Sequence, residues 1–575
     1  MNYRNIMSTH QEISSFIWRV CDDELRGLFK PHEYGDVILP FVVLRRLDCL
    51  IEPHKDEVVS LYKELQESGL DDVSPIIKKK TGLTFFNYSD YDLQRLKSEP
   101  NKIGPNFNYY LGCFSDNVHQ ILENFQMDKP VDKLVKNKKL YSLVDKFTEV
   151  DLHPNVIDNH TMGSIFEELL RKFSEMSNET SGEHYTPRDI VKLLVSLTFS
   201  GDKDNLKGEG IIRSIFDPCC GTGGMLTIGK EWVNENVSEE VRFQLYGQEL
   251  NPQTFSICKS DFLITGEDPD NIKLGSSLSS DHFESRKFDY MITNPPFGVS
   301  WKSEQDYIQT ESQNPLGRFS VGTPRVSDGS LLFLQHMVSK MKPEGSRIGV
   351  VFNGSPLFTG DSGSGESEIR KWIIENDWLE CVVSLPDQLF FNTGISTYIW
   401  IVTNKKKSNR KGKVQLIDGS SFHQLMKKSL GSKRKFITDT QLDSIIQLYE
   451  KFEENEYSKI YPNQFFGYSK VTIEQPLIED GKVKRDKSGN PKPDSKLRDS
   501  ERVPLGEDIE EYFEREVKPH LPNSWIDWDK VSIGYEINFT KYFYKYQPLR
   551  SVNEILEDLK KLEEESDGLF NQLMN

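Results

Sequence analysis

Ile211-Ile212-Arg213-Ser214-Ile215-Phe216-Asp217-Pro218-Cys219-Cys220-Gly221-Thr222-Gly223-Gly224 reads as an apolar strand that ends on an acid and breaks into a glycine-rich turn. Without a Cβ, the glycines let the chain turn sharply and let a ligand approach the backbone closely. Residues 243–249 form a second strand-like run, ending on Glu249, and residues 288–293 a third, which runs straight into Asn294-Pro295-Pro296-Phe297. Further runs at 347–352 and 379–385 alternate with helical spacing, clearest over 331–341 and 366–375. The alternation predicts an α/β fold with a doubly wound, mostly parallel sheet. Ligands of such sheets sit beyond the C-terminal strand ends, where both signatures stand.

Upstream, residues 162–173 carry Ile165, Phe166, Leu169, Leu170 and Phe173 at helical spacing. Residues 190–197 predict another helix, with Thr186 as cap and Pro187 at the first helical position. Residues 1–150 read as a helical N-terminal domain with no chemical motif, suited to packing or partner docking. There Asp36 is expected to cap a helix with Val37, Ile38, Phe41, Val42, Leu44, Leu47, Leu50 and Ile51 on a broad apolar face and Arg45 and Arg46 outside it. Residues 151–475 are assigned to the sheet domain and 476–575 to a C-terminal extension.

Two charged stretches interrupt these patterns. Residues 404–413 (NKKKSNRKGK) read first as a solvated hairpin tip and second as a phosphate contact. Residues 480–500 have no apolar period and read as a long loop or linker. Near the end, Ser551-x-x-Glu554 is a capping box opening a helix with Val552, Ile555, Leu556, Leu559 and Leu562 on one face. Leu569, Phe570 and Leu573 continue that surface.

Among 575 residues there are seven cysteines without paired spacing, which argues for a reducing compartment and against a disulfide framework or a zinc site; no metal is expected. The N-terminus MNYRNIMSTHQEISSFIWRV has no export signature. No stretch approaches the roughly 18 apolar residues of a membrane span, so a cytoplasmic protein is expected. The net charge of −18 makes the chain a poor DNA binder on its own. If it acts on DNA, another chain should supply much of the grip.

The chemistry follows from the two signatures together. A carboxylate at the end of the second strand, Glu249, accepts hydrogen bonds from both hydroxyls of a ribose. Gly221-x-Gly223 does not continue into a pyrophosphate-binding pattern, so the cofactor should be a nucleoside without phosphate, S-adenosyl-L-methionine. The stretch Ser181-Gly182-Glu183-His184-Tyr185-Thr186-Pro187-Arg188, a loop entering a helix N-terminus, offers N–H groups to the cofactor's carboxylate. Asn294 and the Pro295 carbonyl provide two acceptors for the hydrogens of a conjugated amine, and Pro295 and Pro296 stiffen the backbone that presents them. Phe297 is placed to stack on a base, worth about 1–3 kcal/mol. A base that reacts there must leave the duplex. Cys219, although it follows a proline, lies inside the cofactor turn and reads as a small packing residue.

On these motifs the chain resembles the modification (M) subunit of bacterial type I restriction–modification systems, a DNA adenine N6-methyltransferase. The resemblance also runs through Arg26-Gly27, Glu33-Tyr34-Gly35, residues 182–188, residues 247–252, residues 354–358 and residues 392–395. It implies that Glu183, His184, Tyr185, Thr186, Pro187, Arg188, Thr222, Gly223, Gly224 and Glu249 line the cofactor and Asn294 to Phe297 the adenine. It further implies double-stranded DNA as substrate, a specificity (S) subunit that reads the sequence, a restriction (R) subunit, and two M chains per S. One position departs from the pattern. Ser276-Ser277 follows Leu274-Gly275 where related methylases carry an Asp for the cofactor's adenine amine, and either Ser276 or Asp281 is left to make that contact. Methylation of a protein glutamine, methylation of cytosine N4 and an inactive scaffold are the competing readings. The intact Asp217, Glu249, Asn294 and Phe297 weigh against the last.

Overall fold

The computed structural model describes residues 10–68, 70, 72–177, 186–391, 393–479, 482–544, 551–552 and 554–562. Strands β1 (Ile212–Asp217), β2 (Arg242–Glu249), β3 (Ile272–Leu274), β4 (Tyr290–Thr293), β5 (Arg347–Asn353), β6 (Leu379–Ser384), β7 (Thr397–Thr403) and β8 (Lys413–Asp418) belong to the central sheet. A hairpin of β9 (Gln424–Leu430) and β10 (Lys433–Phe436) follows, and β11 (Ser458–Pro462) completes that sheet. Its order is β11-β8-β6-β7-β5-β4-β1-β2-β3. Only β7 and β11 run antiparallel to their neighbours. The doubly wound, mostly parallel sheet is therefore present. β4 starts two residues later than its apolar run, because Phe288 is spent on a bridge to Met341. β3 is three residues long, too short for periodicity to announce it.

The N-terminal region is helical, built on helices His10–Val20, Tyr34–Ile51 and Asn159–Ser177. Its core includes Ile257 and Leu263, which lie on the helix Pro252–Thr265 that follows β2. Two expectations fail here. Asp36 does not cap its helix, which starts at Tyr34; its Oδ1 instead accepts from Gln253 Nε2 at 2.6 Å. Arg45 and Arg46 are buried, not outside the apolar face. Arg45 Nε donates to the Val150 carbonyl (2.9 Å), and Arg46 Nη1 donates to the Leu152 and Ile157 carbonyls (2.8 and 3.1 Å). The helix is covered all round, and its two arginines satisfy the backbone of the segment that leads out of the helical region.

Beyond the central sheet, β12 (Gly467–Glu474) pairs with two later strands, and β13 (Ile478–Glu479) and β14 (Lys482–Val483) form a small hairpin. β15 (Asp499–Pro504) and β16 (Trp525–Tyr535) flank β12 in a three-stranded antiparallel sheet. Buried Arg370 holds this sheet by donating to the Tyr535 carbonyl at 2.7 Å. Within the run 480–500, residues 482–500 are thus not a plain loop. Bonds from Leu477 N to Lys492 O and from Lys492 N to Lys484 O build an arm on backbone pairing, with nearly every side chain exposed. An arm without a core has no apolar period to betray it.

Asn538–Asn575 forms a second compact unit. Residues 554–562 are helical, Ser551 N donates to Glu554 Oε2 (2.8 Å), and Glu554 N donates to Ser551 Oγ (3.3 Å), as a capping box requires. Leu569, Phe570 and Leu573 lie outside the described residues.

Candidate active site

The order β4-β1-β2-β3 sets the ends of four parallel strands side by side. Asp217, Glu249 and Asn294 thereby meet at one edge, although far apart in sequence. Asp217 Oδ1 accepts from Thr293 Oγ1 (2.6 Å), tying β1 to β4, and from Cys219 N (2.9 Å), starting the turn. Cys220 N then donates to the Gln248 carbonyl (3.1 Å) and Gly221 N to Glu249 Oε2 (2.8 Å), tying the turn to β2. Gly221 and Gly223 have φ of +54° and +85°. A Cβ at Gly223 would lie 2.7 Å from Cys258 Sγ, so both conformation and space require glycine there. The helix Gly224–Asn236 starts at once.

Glu249 Oε1 also accepts from Asn251 N (2.8 Å). Each carboxylate oxygen thus spends one lone pair on the backbone and retains another for a ligand. Beside it, Leu250 is 68% exposed.

Asn294 Nδ2 donates to Thr186 Oγ1 at 2.9 Å. The expected cap at Thr186 is therefore absent. The helix starts at Arg188, the Pro187 carbonyl accepts from Ile190 N and Val191 N, and the Thr186 hydroxyl is turned to Asn294. Asn294 Oδ1 is buried and has no hydrogen-bond partner among the described residues. A buried carbonyl-type oxygen without a donor costs about 1–3 kcal/mol. Asn294, Thr186, Asp217, Thr222 and Gly224 line one cleft, with Glu167 at its wall. Pro295 is buried and Pro296 half-buried; the Phe297 ring meets Phe390 edge-on at 5.9 Å between centroids.

Arg188 is tied to that wall. Its Nε lies 3.3 Å from Glu167 Oε2 and its Nη2 donates to the His160 carbonyl, so it borders the helix Asn159–Ser177. Glu183, His184 and Tyr185 lie outside the described residues. After β3, Asp281 is committed to Lys340 and to Phe283 N. Ser276 Oγ donates to Glu304, as does Ser279 Oγ (2.5 Å). The acid next to Ser276 is thus Glu304, which stands too far along the chain to join any local motif.

Burial of Asp217, only 1% exposed, pushes its carboxyl up to about 7, against the pull of its bonds from Thr293 and Cys219; the Glu249 charge adds to the rise.

A carboxamide oxygen without a described donor, a glycine turn and a carboxylate with lone pairs to spare thus meet at adjoining strand ends, an arrangement suited to an amine methyltransferase. The chain belongs to the N-6 DNA methylase family, whose model matches residues 157–475; the HsdM N-terminal domain matches residues 13–147. It is 27% identical over 498 residues to the methylase subunit of the type I restriction enzyme MjaIX of Methanocaldococcus jannaschii, covering 82% of each chain. To the methylase subunit of EcoEI from Escherichia coli it is 31% identical over 274 residues, 46% of this chain and 50% of that one. The fold matches the crystal structure of a type I methyltransferase subunit from Streptococcus thermophilus with a TM-score of 0.63 at 22% identity, over 79% of this chain and 96% of that one. The protein is a DNA adenine N6-methyltransferase of the type I restriction–modification class.

Asp217 also sets a pH dependence. Because its folded-state pKa is raised, the stability it contributes is complete below the unfolded value, 3.8, and is lost as pH rises through about 7. Asp217→Asn keeps an acceptor for Thr293 and Cys219 but removes the titration. Between about pH 5 and about pH 8, the wild type should therefore lose thermal stability relative to the variant. An unchanged gap between the two melting temperatures would show that Asp217 is not held neutral by burial.

Proposed function

We propose that the strand-end cleft binds S-adenosyl-L-methionine and the target adenine side by side, and that the chain works as the modification subunit of a complex with S and R subunits. The observation that carries this reading is the buried Asn294 Oδ1, which has no hydrogen-bond partner among the described residues. An amine hydrogen of the extruded adenine supplies the missing donor. The Thr186 hydroxyl holds the other end of the carboxamide, so the acceptor is aimed before the base arrives. The Pro295 carbonyl takes the second amine hydrogen. Two acceptors favour a pyramidal nitrogen with its lone pair directed at the methyl group. Phe297, braced by Phe390, provides the ring on which the base rests.

S-adenosyl-L-methionine supplies the electrophilic methyl group. The free lone pairs of Glu249 suit its ribose hydroxyls, Leu250 gives its purine an apolar wall, and the turn from Gly221 to Gly224 leaves room for the chain to close on it. Asp217 shapes that turn from beneath. Residues 183–188 complete the cofactor site in the same reading. Methyl transfer is then direct and in line, with no protein nucleophile. The division at residues 150/151 and 475/476, a cytoplasmic location and two M chains per S subunit belong to the same proposal. No described helix is long and apolar enough to cross a membrane.

Two substitutions separate the roles. Glu249→Ala should weaken S-adenosyl-L-methionine binding by about 1.5–3 kcal/mol, the worth of hydrogen bonds to a charged group; calorimetry matching wild type would refute the ribose assignment. Asn294→Ala should abolish adenine methylation with cofactor affinity nearly intact, and a complex that still methylated at a comparable rate would refute the acceptor mechanism.

The helix over 554–562 is proposed to dock on the S subunit. Val552, Ile555, Leu556, Leu559 and Leu562 are between 44% and 72% exposed, an apolar stripe of the kind that a groove accepts. Removing residues 550–575 should weaken assembly with S and spare cofactor binding. Full assembly and activity of the truncated chain, measured by co-purification and methyl transfer, would exclude that role.

A further inference from the structure

Two runs of cations stand out in this acidic chain, and strand direction sends them to opposite edges of the sheet. The run 404–413 leaves β7, which is antiparallel to β5 with Thr403 opposite Arg347, and so lies at the N-terminal edge of the parallel strands, away from the site. Part of it is internal: Lys406 pairs with Asp377 at 2.6 Å, and Arg410 lies over the rings of Tyr449 and Phe452. The second run holds Lys427, Lys428, Lys433, Arg434 and Lys435, with no acid anywhere from Gly419 to Thr438. β8 runs parallel to β6, with Ser384 opposite Asp418, and delivers this run to the ligand edge as the hairpin β9–β10.

Two attachments fix the hairpin beside the reacting loop. Lys433 Nζ stands 3.1 Å from both oxygens of Asp189, three residues after the Thr186 that holds Asn294. Ser432 N donates to the Phe391 carbonyl at 2.7 Å, and the adjacent Phe390 braces Phe297. Lys433 and Lys435 are spent on Asp189 and Asp387. Lys427, Lys428 and Arg434 are exposed, and no described carboxylate pairs with them.

We infer that the β9–β10 hairpin is a phosphate clamp, in which Lys427, Lys428 and Arg434 hold the DNA backbone next to the extruded adenine. The inference rests on the DNA-methylating reading of the site and adds the surface that keeps the strand in place. Extruding a base costs a few kcal/mol of stacking and pairing, and cations on the flanking phosphates oppose the withdrawal of the strand. Such contacts position the duplex and carry no sequence information, which leaves reading to another chain.

The test uses the full chain assembled with its specificity subunit and a mixed-sequence DNA duplex, with affinity measured against salt concentration. Each lost phosphate contact lowers the slope of log K against log salt by about 0.9, so K427Q/K428Q/R434Q should lower it by about 2.7. K405Q/K407Q/K411Q removes the same charge from exposed positions at the far edge and should keep the wild-type slope. Cofactor binding by calorimetry should be unchanged in both. A wild-type slope in the hairpin variant, or an equal loss in the two sets, would overturn the clamp; so would failure of the hairpin variant to assemble with the specificity subunit, which would make the hairpin a protein-docking element. Asn294→Ala should keep the full slope. Methylation by that variant would refute the acceptor reading and leave the clamp standing.

Discussion

The structure depends on carboxylates that accept backbone N–H groups across neighbouring strand ends. Glu249 is bonded to Gly221 in one direction and Asn251 in the other, and Asp217 joins Cys219 to Thr293. Three segments, the turn after β1, the chain just beyond β2 and the end of β4, are thus held by two acids. Each bond is modest alone, about 0.5–1.5 kcal/mol, and together they fix the turn. Losing either acid would leave half-buried N–H groups without their partner, so the shape of the turn rests on these two side chains.

Strand order does the remaining work. Asp217, Glu249 and Asn294 would be scattered in any fold that did not place β4, β1 and β2 next to one another. The antiparallel insertion of β7 then decides which loops share an edge with them. It sends the 404–413 run away and brings the β9–β10 hairpin back, so that two runs of the same charge stand at opposite edges of one sheet.

The sheet was legible because its strands are apolar runs that end on distinctive residues, and the acceptor loop was legible because Asn-Pro-Pro-Phe has few structural uses. What escaped was set by three-dimensional neighbours. Arg45 and Arg46 looked like solvated charges, but the chain returns at residues 150–157 to bury them. Thr186 looked like a helix cap and is instead the support of Asn294. Glu304 comes to Ser276 from a distant helical turn, and no spacing rule joins the two. The basic hairpin was unremarkable in sequence, since composition does not tell which edge of a sheet a charge will reach.

The helix Pro252–Thr265 joins two regions. Asn251 Oδ1 accepts from Gln253 N and Thr254 N at its start, one residue away from the bond that Asn251 N makes to Glu249. Along its length, Ile257 and Leu263 are part of the N-terminal core, Lys259 Nζ donates to Gln120 Oε1, and the Leu263 carbonyl accepts from Thr84 Oγ1. In mechanical terms it is a lever with one end at the tip of β2 and its shaft clamped by the helical region. One rigid element therefore carries both the N–H that reaches Glu249 and part of the packing of the helical region, so the position of a strand end and the seating of a region without a chemical motif are set by the same fourteen residues.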